Sequence, residues 1–336
     1  MDDLWKKLYT LADSYYAMAP WLCLTEDELF GVQDPVTGEI GFLQMLGRGG
    51  EHFAISRYPG TQGLRTLRTL QETDPENPAA GSEIILHSSQ MQLSWEDREE
   101  LDKQDRKQIK ELGLKYRGPS SWPLFRSYEP LLYPWYLTKE QGLVLLTTLE
   151  QGLQVLQRCQ NTPEMLSRLP KNHYLVRVSS STGDWQDEIM EVLPAVEKAS
   201  IVSEIPSLPH LKTLAKGKSC VEMDLILGPP VKGENSDGRP YFPNLLLMAD
   251  ASNGIILPGI ALLSPFPSPD AMYGQVAEKA CAALKQVGMV PAEIRVRRKL
   301  LEKVLAPLAD GLGLRVNLKK QLPAIEAAAQ GLAQFF

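Results

Sequence analysis

Cysteine and histidine are scarce in this sequence, and neither is spaced for a metal site. The four cysteines form no C-x-x-C pair, and the four histidines form no H-x-x-H pair. A structural zinc site needs four such ligands at close spacing, so we expect no metal and no cofactor. Few and unpaired cysteines are typical of the reducing cytoplasm rather than of secreted domains, which disulfides stabilise.

The motifs that carry phosphate binding or nucleophilic catalysis are also missing. No stretch has the spacing G-x-G-x-x-G, G-x-x-x-x-G-K or G-x-S-x-G, and the glycines at 47–50 predict a turn. These absences favour a binding protein over an enzyme.

No apolar run is long enough to cross a membrane. The longest candidate, residues 244–266, is interrupted by the polar residues at 250–254 and by Pro258 and Pro265. A spanning helix needs about 20 apolar residues, so two buried strands joined by a turn explain the pattern better. The first residues also lack the basic and then apolar pattern of a signal peptide. We therefore expect a cytoplasmic protein without a membrane partner.

The bulk composition is that of a folded protein with two domains. The chain has 336 residues, of which 43% are hydrophobic and 23% charged. Residues 1–210 carry a net charge of −10, whereas residues 211–336 carry +4. We expect an acidic domain at 1–205 and a mildly basic one at 206–336, connected through the proline-containing region 200–218. The overall charge of −6 disfavours nucleic acid as a partner.

Hydrophobic periodicity in the N-terminal half predicts an α+β domain. Helices are predicted at 2–18, 61–71 and 139–158, and strands at 29–33, 40–46, 52–58 and 84–93. Ser94 and Asp97 match a capping box before the highly charged stretch 96–111, and Thr138 and Gln141 match another. The charged stretch predicts a surface helix, with a solvated face or a binding surface as its two possible uses.

The C-terminal half reads as α/β, with elements in the order β-β-β-α-β-α-β-α. Strands are predicted at 221–227, 245–249, 255–263, 293–297 and 314–318. Ser268 caps the first helix, which ends at Gly288, and Pro323 opens the last. In this order residues 219–336 resemble the ribonuclease-H-like fold, a mixed sheet flanked by helices.

That resemblance implies a metal-binding aspartate on an early strand, and the candidate carboxylates are Asp224, Asp250 and Glu278. Two-metal catalysis needs several carboxylates around ions about 4 Å apart. The strand at 293–297 ends in Arg297, where an active enzyme of this kind carries an acid. We therefore expect the catalytic machinery to be absent or rebuilt.

Several short motifs give the whole chain a second resemblance. It looks like a family of uncharacterised bacterial two-domain proteins built from domains of unknown function. The stretches that carry this resemblance are Phe30–Glu39, Phe125–Tyr128, Pro134-Trp135, Ile294–Arg297 and Leu322-Pro323. It implies a bacterial cytoplasmic protein and supplies no reaction.

One short sequence pattern occurs in both halves of the chain. Asp34 and Asp250 each follow a strand, and Gly38 and Gly254 each stand four residues later. An ancient duplication is one explanation. The other explanation is that two unrelated turns both use aspartate, because its side chain forms a hydrogen bond with the nearby backbone at that turn position.

A basic cluster and an aromatic stretch are the candidate binding surfaces. The basic cluster comprises Arg295, Arg297, Arg298, Lys299 and Lys303, next to the edge where ligands bind open α/β sheets. It predicts a small-anion site, docking to the acidic half or plain solvation. The stretch from Trp122 to Tyr136, with Arg126 and Trp135, predicts either a stiff groove wall or a loop pinned to the core.

The function that these observations favour is a non-catalytic binding or interaction protein, with another protein or an anionic ligand as its partner. The alternative is a metal-dependent enzyme acting on nucleic acid through Asp224, Asp250 and Glu278. A third possibility is a small-anion sensor at Arg297–Lys299.

Overall fold

The computed structural model describes residues 2–73, 78–195, 205–233 and 238–333. The fold is mixed α/β and divides into two compact units. The N-terminal unit comprises Met1–Pro130 and Pro134–Val196, and the C-terminal unit comprises Leu131–Tyr133 and Glu197–Phe336. Part of the predicted connecting region, residues 200–204, lies outside the described residues.

The segment Leu131–Tyr133 joins the C-terminal unit through backbone hydrogen bonds. The amide of Phe242 donates to the carbonyl of Leu131 at 2.8 Å, and that of Tyr133 donates to the carbonyl of Pro240 at 2.9 Å. The amino-acid composition around Leu131–Tyr133 gives no sign that this segment belongs to the other unit.

The N-terminal unit contains five α-helices and seven strands in its described part. In chain order they are α1 (Asp2–Met18), β1 (Phe30–Gln33), β2 (Ile40–Leu46), β3 (Phe53–Pro59), α2 (Gly60–Gln71), α3 (Pro78–Leu86), β4 (Gln90–Glu96), α4 (Lys103–Glu111), β5 (Trp122–Tyr128), α5 (Lys139–Asn161), β6 (His173–Ser179) and β7 (Trp185–Glu191). The strands form one mixed sheet in the order β5-β4-β3-β2-β1-β6-β7, in which only the β1–β6 pair is parallel.

Helices α1 and α5 cover one face of this sheet, and their contact is close because α5 carries glycines. The Tyr15 hydroxyl donates to the carbonyl of Leu149 at 2.8 Å. A Cβ at Gly152 would stand 2.6 Å from that hydroxyl oxygen and 3.1 Å from Leu43. The buried side of α5 includes Leu145 and Leu149, while Leu143 is 47% exposed.

Two predictions between residues 84 and 111 are wrong. Residues 84–86 belong to α3, and β4 starts at Gln90; a short apolar run fits a helix and a strand equally well. Ser94 is a buried residue of β4 instead of a helix cap. Helix α4 begins after Asp102, which accepts from the amides of Gln104 and Asp105, and the Asp105 carboxylate accepts from the amide of Asp102.

The aromatic stretch starts as a strand rather than as a loop. Residues Trp122–Tyr128 form β5, which pairs with β4 at one edge of the sheet. Pro123 is tolerated there because an edge strand leaves one row of amides unpaired. Trp135 then pairs with Ser127, whose amide donates to the Trp135 carbonyl at 2.8 Å.

The C-terminal unit contains five helices and seven strands in its described part. They are α6 (Leu208–Leu211), β8 (Ala215–Lys216), β9 (Cys220–Leu227), β10 (Asn244–Asp250), β11 (Ala261–Leu263), α7 (Pro269–Gly274), α8 (Val276–Val287), β12 (Met289–Val290), β13 (Glu293–Val296), α9 (Lys299–Leu312), β14 (Arg315–Leu318) and α10 (Pro323–Ala333). Five strands form a mixed sheet in the order β11-β10-β9-β13-β14, and β8 pairs with β12 in a separate parallel ribbon.

In the five-stranded sheet β9 lies at the centre. It is antiparallel to β10 and parallel to β13, while β14 is parallel to β13. One face carries Leu247 and Ala249 of β10, which form an apolar cluster with Ile325 of α10. The carboxylate of Glu222 accepts from the amides of Ala324 and Ile325 at 2.8 and 3.3 Å, so β9 itself caps the start of α10.

In this unit the predicted helix ends agree with the structure better than the predicted lengths of helices and strands do. The Ser268 cap is confirmed, since its hydroxyl accepts from the amide of Ala271, and Gly288 ends α8 in the left-handed conformation. The single helix predicted between them breaks at Gln275 into α7 and α8. The strand predicted at 255–263 is reduced to Ala261–Leu263, because Pro258 has no amide to donate to a ladder.

Gly152 offers a test of the α1–α5 contact. Substituting Gly152→Ala destabilises the protein by about 1–3 kcal/mol, because the new methyl group displaces the Tyr15 hydroxyl from a packed core. We expect a lower Tm in thermal unfolding followed by circular dichroism.

The matched control is Gly81→Ala in α3, where a Cβ meets nothing within 4 Å. This change stabilises by about 0.4–1 kcal/mol, since alanine loses less backbone entropy than glycine on folding. Equal Tm values for the two variants would contradict the close packing at Gly152.

Candidate functional site

Helix α4 places charged side chains on two sides of itself. Lys103 and Lys107 line one depression in the N-terminal unit, and Arg106 and Lys110 line another. Residues four apart share a side of a helix, which is why the two pairs separate in this way. The two depressions differ in how their charges are balanced.

The first depression, here the Arg126 groove, has a volume of about 710 Å³. Arg126 is bound to Asp105 through two hydrogen bonds: Nη1 donates to Oδ1 at 2.9 Å and Nη2 donates to Oδ2 at 2.6 Å. Its guanidinium carbon lies 4.8 Å from the centre of the Tyr136 ring, and the Tyr136 hydroxyl donates to Asp102. The carboxylate that Arg126 holds thus belongs to this chain.

The ionisation of these groups reflects their mutual contacts. Burial acts to raise the pKa of Asp102, but hydrogen bonds from Tyr136 and from backbone amides, together with Arg126, hold it below the usual value. Burial acts to lower the pKa of Arg126, and Asp105 more than reverses this. Both groups therefore stay charged, and both terminal nitrogens of Arg126 are bound to Asp105.

The second depression, here the Trp122 hollow, has a volume of about 490 Å³ and a different charge balance. Two aromatic side chains, Tyr116 and Trp122, lie in its wall, with ring centres 6.0 Å apart. Five cationic side chains line it and no carboxylate does: Arg98, Arg106, Lys110, Lys115 and Arg117. Among the residues that the structure describes, none of the five forms an ion pair.

An adjoining depression, here the Asp97 hollow, shares Trp122 with the Trp122 hollow and has a volume of about 550 Å³. It also holds the acids Asp97 and Glu99. One carboxylate oxygen of Asp97, Oδ1, accepts a hydrogen bond from the amide of Ser120 at 2.7 Å. Trp122 therefore stands between a purely cationic hollow and a mixed one, with the Arg98 guanidinium carbon 5.8 Å from its ring centre.

The predicted aromatic residues separate into two places. Trp122 faces the cationic hollow, whereas Arg126 belongs to the Arg126 groove. Trp135 packs edge-on against Tyr136 at 5.0 Å between ring centres. Trp135 lines neither the Arg126 groove nor the Trp122 hollow.

In the C-terminal unit Asp224 is fully buried between two arginines. Arg297 Nη2 donates to its Oδ2 at 2.6 Å, and Arg298 Nε donates to its Oδ1 at 3.0 Å. Arg298 Nη2 also donates to the carbonyl of Leu225. Both carboxylate oxygens of Asp224 are thus taken by guanidinium groups, where a metal ion would need them.

The three candidate carboxylates do not come together. In the β9–β10 ladder Asp250 pairs with Val221, three residues from Asp224, which places the two on opposite faces about 10 Å apart along the strand. Asp250 accepts from the amide of Ser252 at 2.8 Å in a hairpin turn. Glu278 accepts from the amide of Ser207 at 3.0 Å, which ties the start of α6 to α8.

The remaining basic candidates have structural partners or point outward. Arg295 Nε donates to Glu293 at 3.1 Å, and Lys299 is an exposed residue at the start of α9. Among the described residues no group of three or more His, Cys, Asp and Glu is arranged to hold a metal ion. No helix in the same part of the chain is long and apolar enough to cross a membrane.

The sequence interpretation found Trp122 but missed the five cations around it. The spacing of Arg106 and Lys110 is a visible signal, since it puts both on one side of a helix. Arg98, Lys115 and Arg117 come from the segments before and after α4, and only the fold brings them to the same hollow.

Comparison with known families places each unit. Residues 5–177 match the model of a domain of unknown function, DUF7309. The chain belongs to the DUF7309 family. Residues 207–333 match a second domain of unknown function, DUF6930. No curated protein matches the chain. The Trp122 hollow lies within the DUF7309 match, and the Asp224 cluster lies within the DUF6930 match.

A substitution at Asp224 tests what this carboxylate does in the DUF6930 part. We expect Asp224→Asn to destabilise the protein by about 3 kcal/mol, because it leaves two guanidinium groups without their carboxylate. We expect Asp250→Asn to cost less than about 1 kcal/mol, since an exposed asparagine accepts the same turn hydrogen bond. Urea unfolding with and without Mn²⁺ measures both.

A metal-ligand role for Asp224 gives the opposite pattern. Mn²⁺ would then stabilise the wild type but not Asp224→Asn, and without metal the two proteins would unfold at the same urea concentration. That result would overturn the assignment of Asp224 to a structural ion pair.

Proposed function

We propose that this DUF7309 protein is a non-catalytic binding protein that takes an anionic ligand in the Trp122 hollow. The observation that carries the proposal is the five cations without ion-pair partners in the described residues, grouped around one hollow of a chain whose net charge is −6. A polyanion placed there would gain several attractions at once and would break no ion pair of the described residues.

The end of α4 does not balance this charge. Cations near a helix C-terminus are stabilised by its dipole, and Lys110 lies in the last turn. That dipole is equivalent to about half an elementary charge and acts only within the last turn. Five cationic side chains exceed this by an order of magnitude, so the end of the helix does not neutralise them.

The sheet order β11-β10-β9-β13-β14 supports our proposal of a ribonuclease-H-like fold for the C-terminal unit. Three consecutive antiparallel strands are followed by two parallel ones, with helices between. An experimental structure tests it, and a different strand order would overturn it.

We place the domain boundary at residues 205–206 and the protein in the bacterial cytoplasm. The boundary is supported by the start of the DUF6930 match at residue 207. The location is supported by the four free cysteines.

Binding of inorganic tripolyphosphate tests the proposed function. Titration calorimetry at low salt is expected to detect binding to the wild type. The double variant Arg106→Gln/Lys110→Gln is expected to bind about tenfold or more weakly, since each lost charge at close range is worth about 1 kcal/mol in a water-like medium.

The matched control is Lys103→Gln/Lys107→Gln, which makes the same change of net charge on the other side of α4. Its affinity is expected to stay within about twofold of the wild type. Equal weakening by both double variants would reveal a diffuse charge effect, and no binding to the wild type would refute the proposal.

A further inference from the structure

The Trp122 hollow offers a ligand an aromatic surface as well as positive charge. A half-buried tryptophan lies between it and the Asp97 hollow, so parts of one ligand on both sides of Trp122 would touch the same side chain. Aromatic rings bind flat π-systems, and guanidinium groups stack on them as well. Phosphate alone uses none of this surface.

The charges on the two sides of Trp122 differ in sign. The Trp122 hollow has only cations, whereas the Asp97 hollow adds Asp97 and Glu99. Carboxylates repel a phosphate group and accept hydrogen bonds from N–H groups. A ligand with a phosphate chain at one end and a nitrogen-bearing ring at the other matches this polarity.

The dimensions of the two hollows match a small molecule. The two hollows measure about 490 and 550 Å³, within the 300–1,000 Å³ of ordinary small-ligand sites. A nucleic-acid strand would extend beyond them over a half of the chain that carries −10, where its phosphates would be repelled.

We propose that the ligand of the Trp122 hollow is a nucleoside triphosphate, with its base against Trp122 and its phosphates among Arg106, Lys110 and Lys115. This inference rests on the proposed function, since it names the class of anion that the same site takes. Arg98 and Arg117 line both hollows, so both lie where the base and the phosphate chain meet.

A comparison of ATP with tripolyphosphate, both without divalent cations, tests the proposal. Tripolyphosphate carries at least as much negative charge as ATP, so a site that reads charge alone binds it as tightly or more tightly. Base stacking is expected to make ATP bind about tenfold more tightly to the wild type. Tryptophan fluorescence provides a second readout, because a base stacked on Trp122 quenches its emission.

Substitution of Trp122 separates ring recognition from charge. Trp122→Leu is expected to lose the preference for ATP and to keep its tripolyphosphate affinity within about twofold. Trp122→Phe, which retains an aromatic ring, is expected to keep most of the preference. Retained tripolyphosphate binding also demonstrates that each variant is folded.

The possible failures are distinguishable. If the wild type binds neither anion, the proposed function falls and this inference falls with it. If tripolyphosphate binds as tightly as ATP, the anion site stands and the nucleotide is overturned. Tighter binding of a ten-residue oligothymidylate than of ATP would also overturn it, in favour of a nucleic-acid strand.

Discussion

An ion pair, rather than an apolar stripe, orients helix α4 on the N-terminal sheet. This helix has nine residues, and its buried residues are Asp105 and Ile109 alone. A helix of that length is marginal by itself, so its position has to come from tertiary contacts. Two hydrogen bonds between Asp105 and Arg126 fix α4 against β5, and they also fix its rotation. The side on which Arg106 and Lys110 stand follows from that rotation.

The pair also marks a difference between the two sides of α4, since only the Arg126 groove has carboxylates in its lining. Desolvating two charges costs about as much as their attraction returns, so such a pair contributes orientation more than net stability. Asp105 and Arg126 satisfy each other next to the Arg126 groove. Within the described residues no carboxylate forms an ion pair with the five cations of the Trp122 hollow, which is the feature on which the proposed function rests.

Local chemistry was predictable from the sequence, and long-range pairing was not. The capping box of Thr138 and Gln141 is confirmed because both hydrogen bonds join residues three apart. Ser94 matches the same pattern and fails, because pairing of β4 with strands on both sides outweighs a cap. Arg126 was a candidate binding residue, but nothing local in the sequence indicates that Asp105 is its partner. Asp224 similarly meets Arg297, 73 residues away, only because β9 and β13 are neighbours.

The two Asp-x-x-x-Gly turns are alike in geometry but stand at different places in their sheets. The amides of Gly38 and Gly254 donate to the carbonyls of Asp34 and Asp250 at 2.8 and 2.9 Å, and both glycines have φ near +74°. Along the chain, the first turn joins the first and second strands of its sheet, β1 and β2. The second turn joins the second and third strands of its sheet, β10 and β11. Aspartate and glycine recur there because this turn demands them. The shared pattern is therefore no evidence of duplication, and such an origin would have to rest on the strand order that both units share: a meander whose first strand receives a later parallel strand.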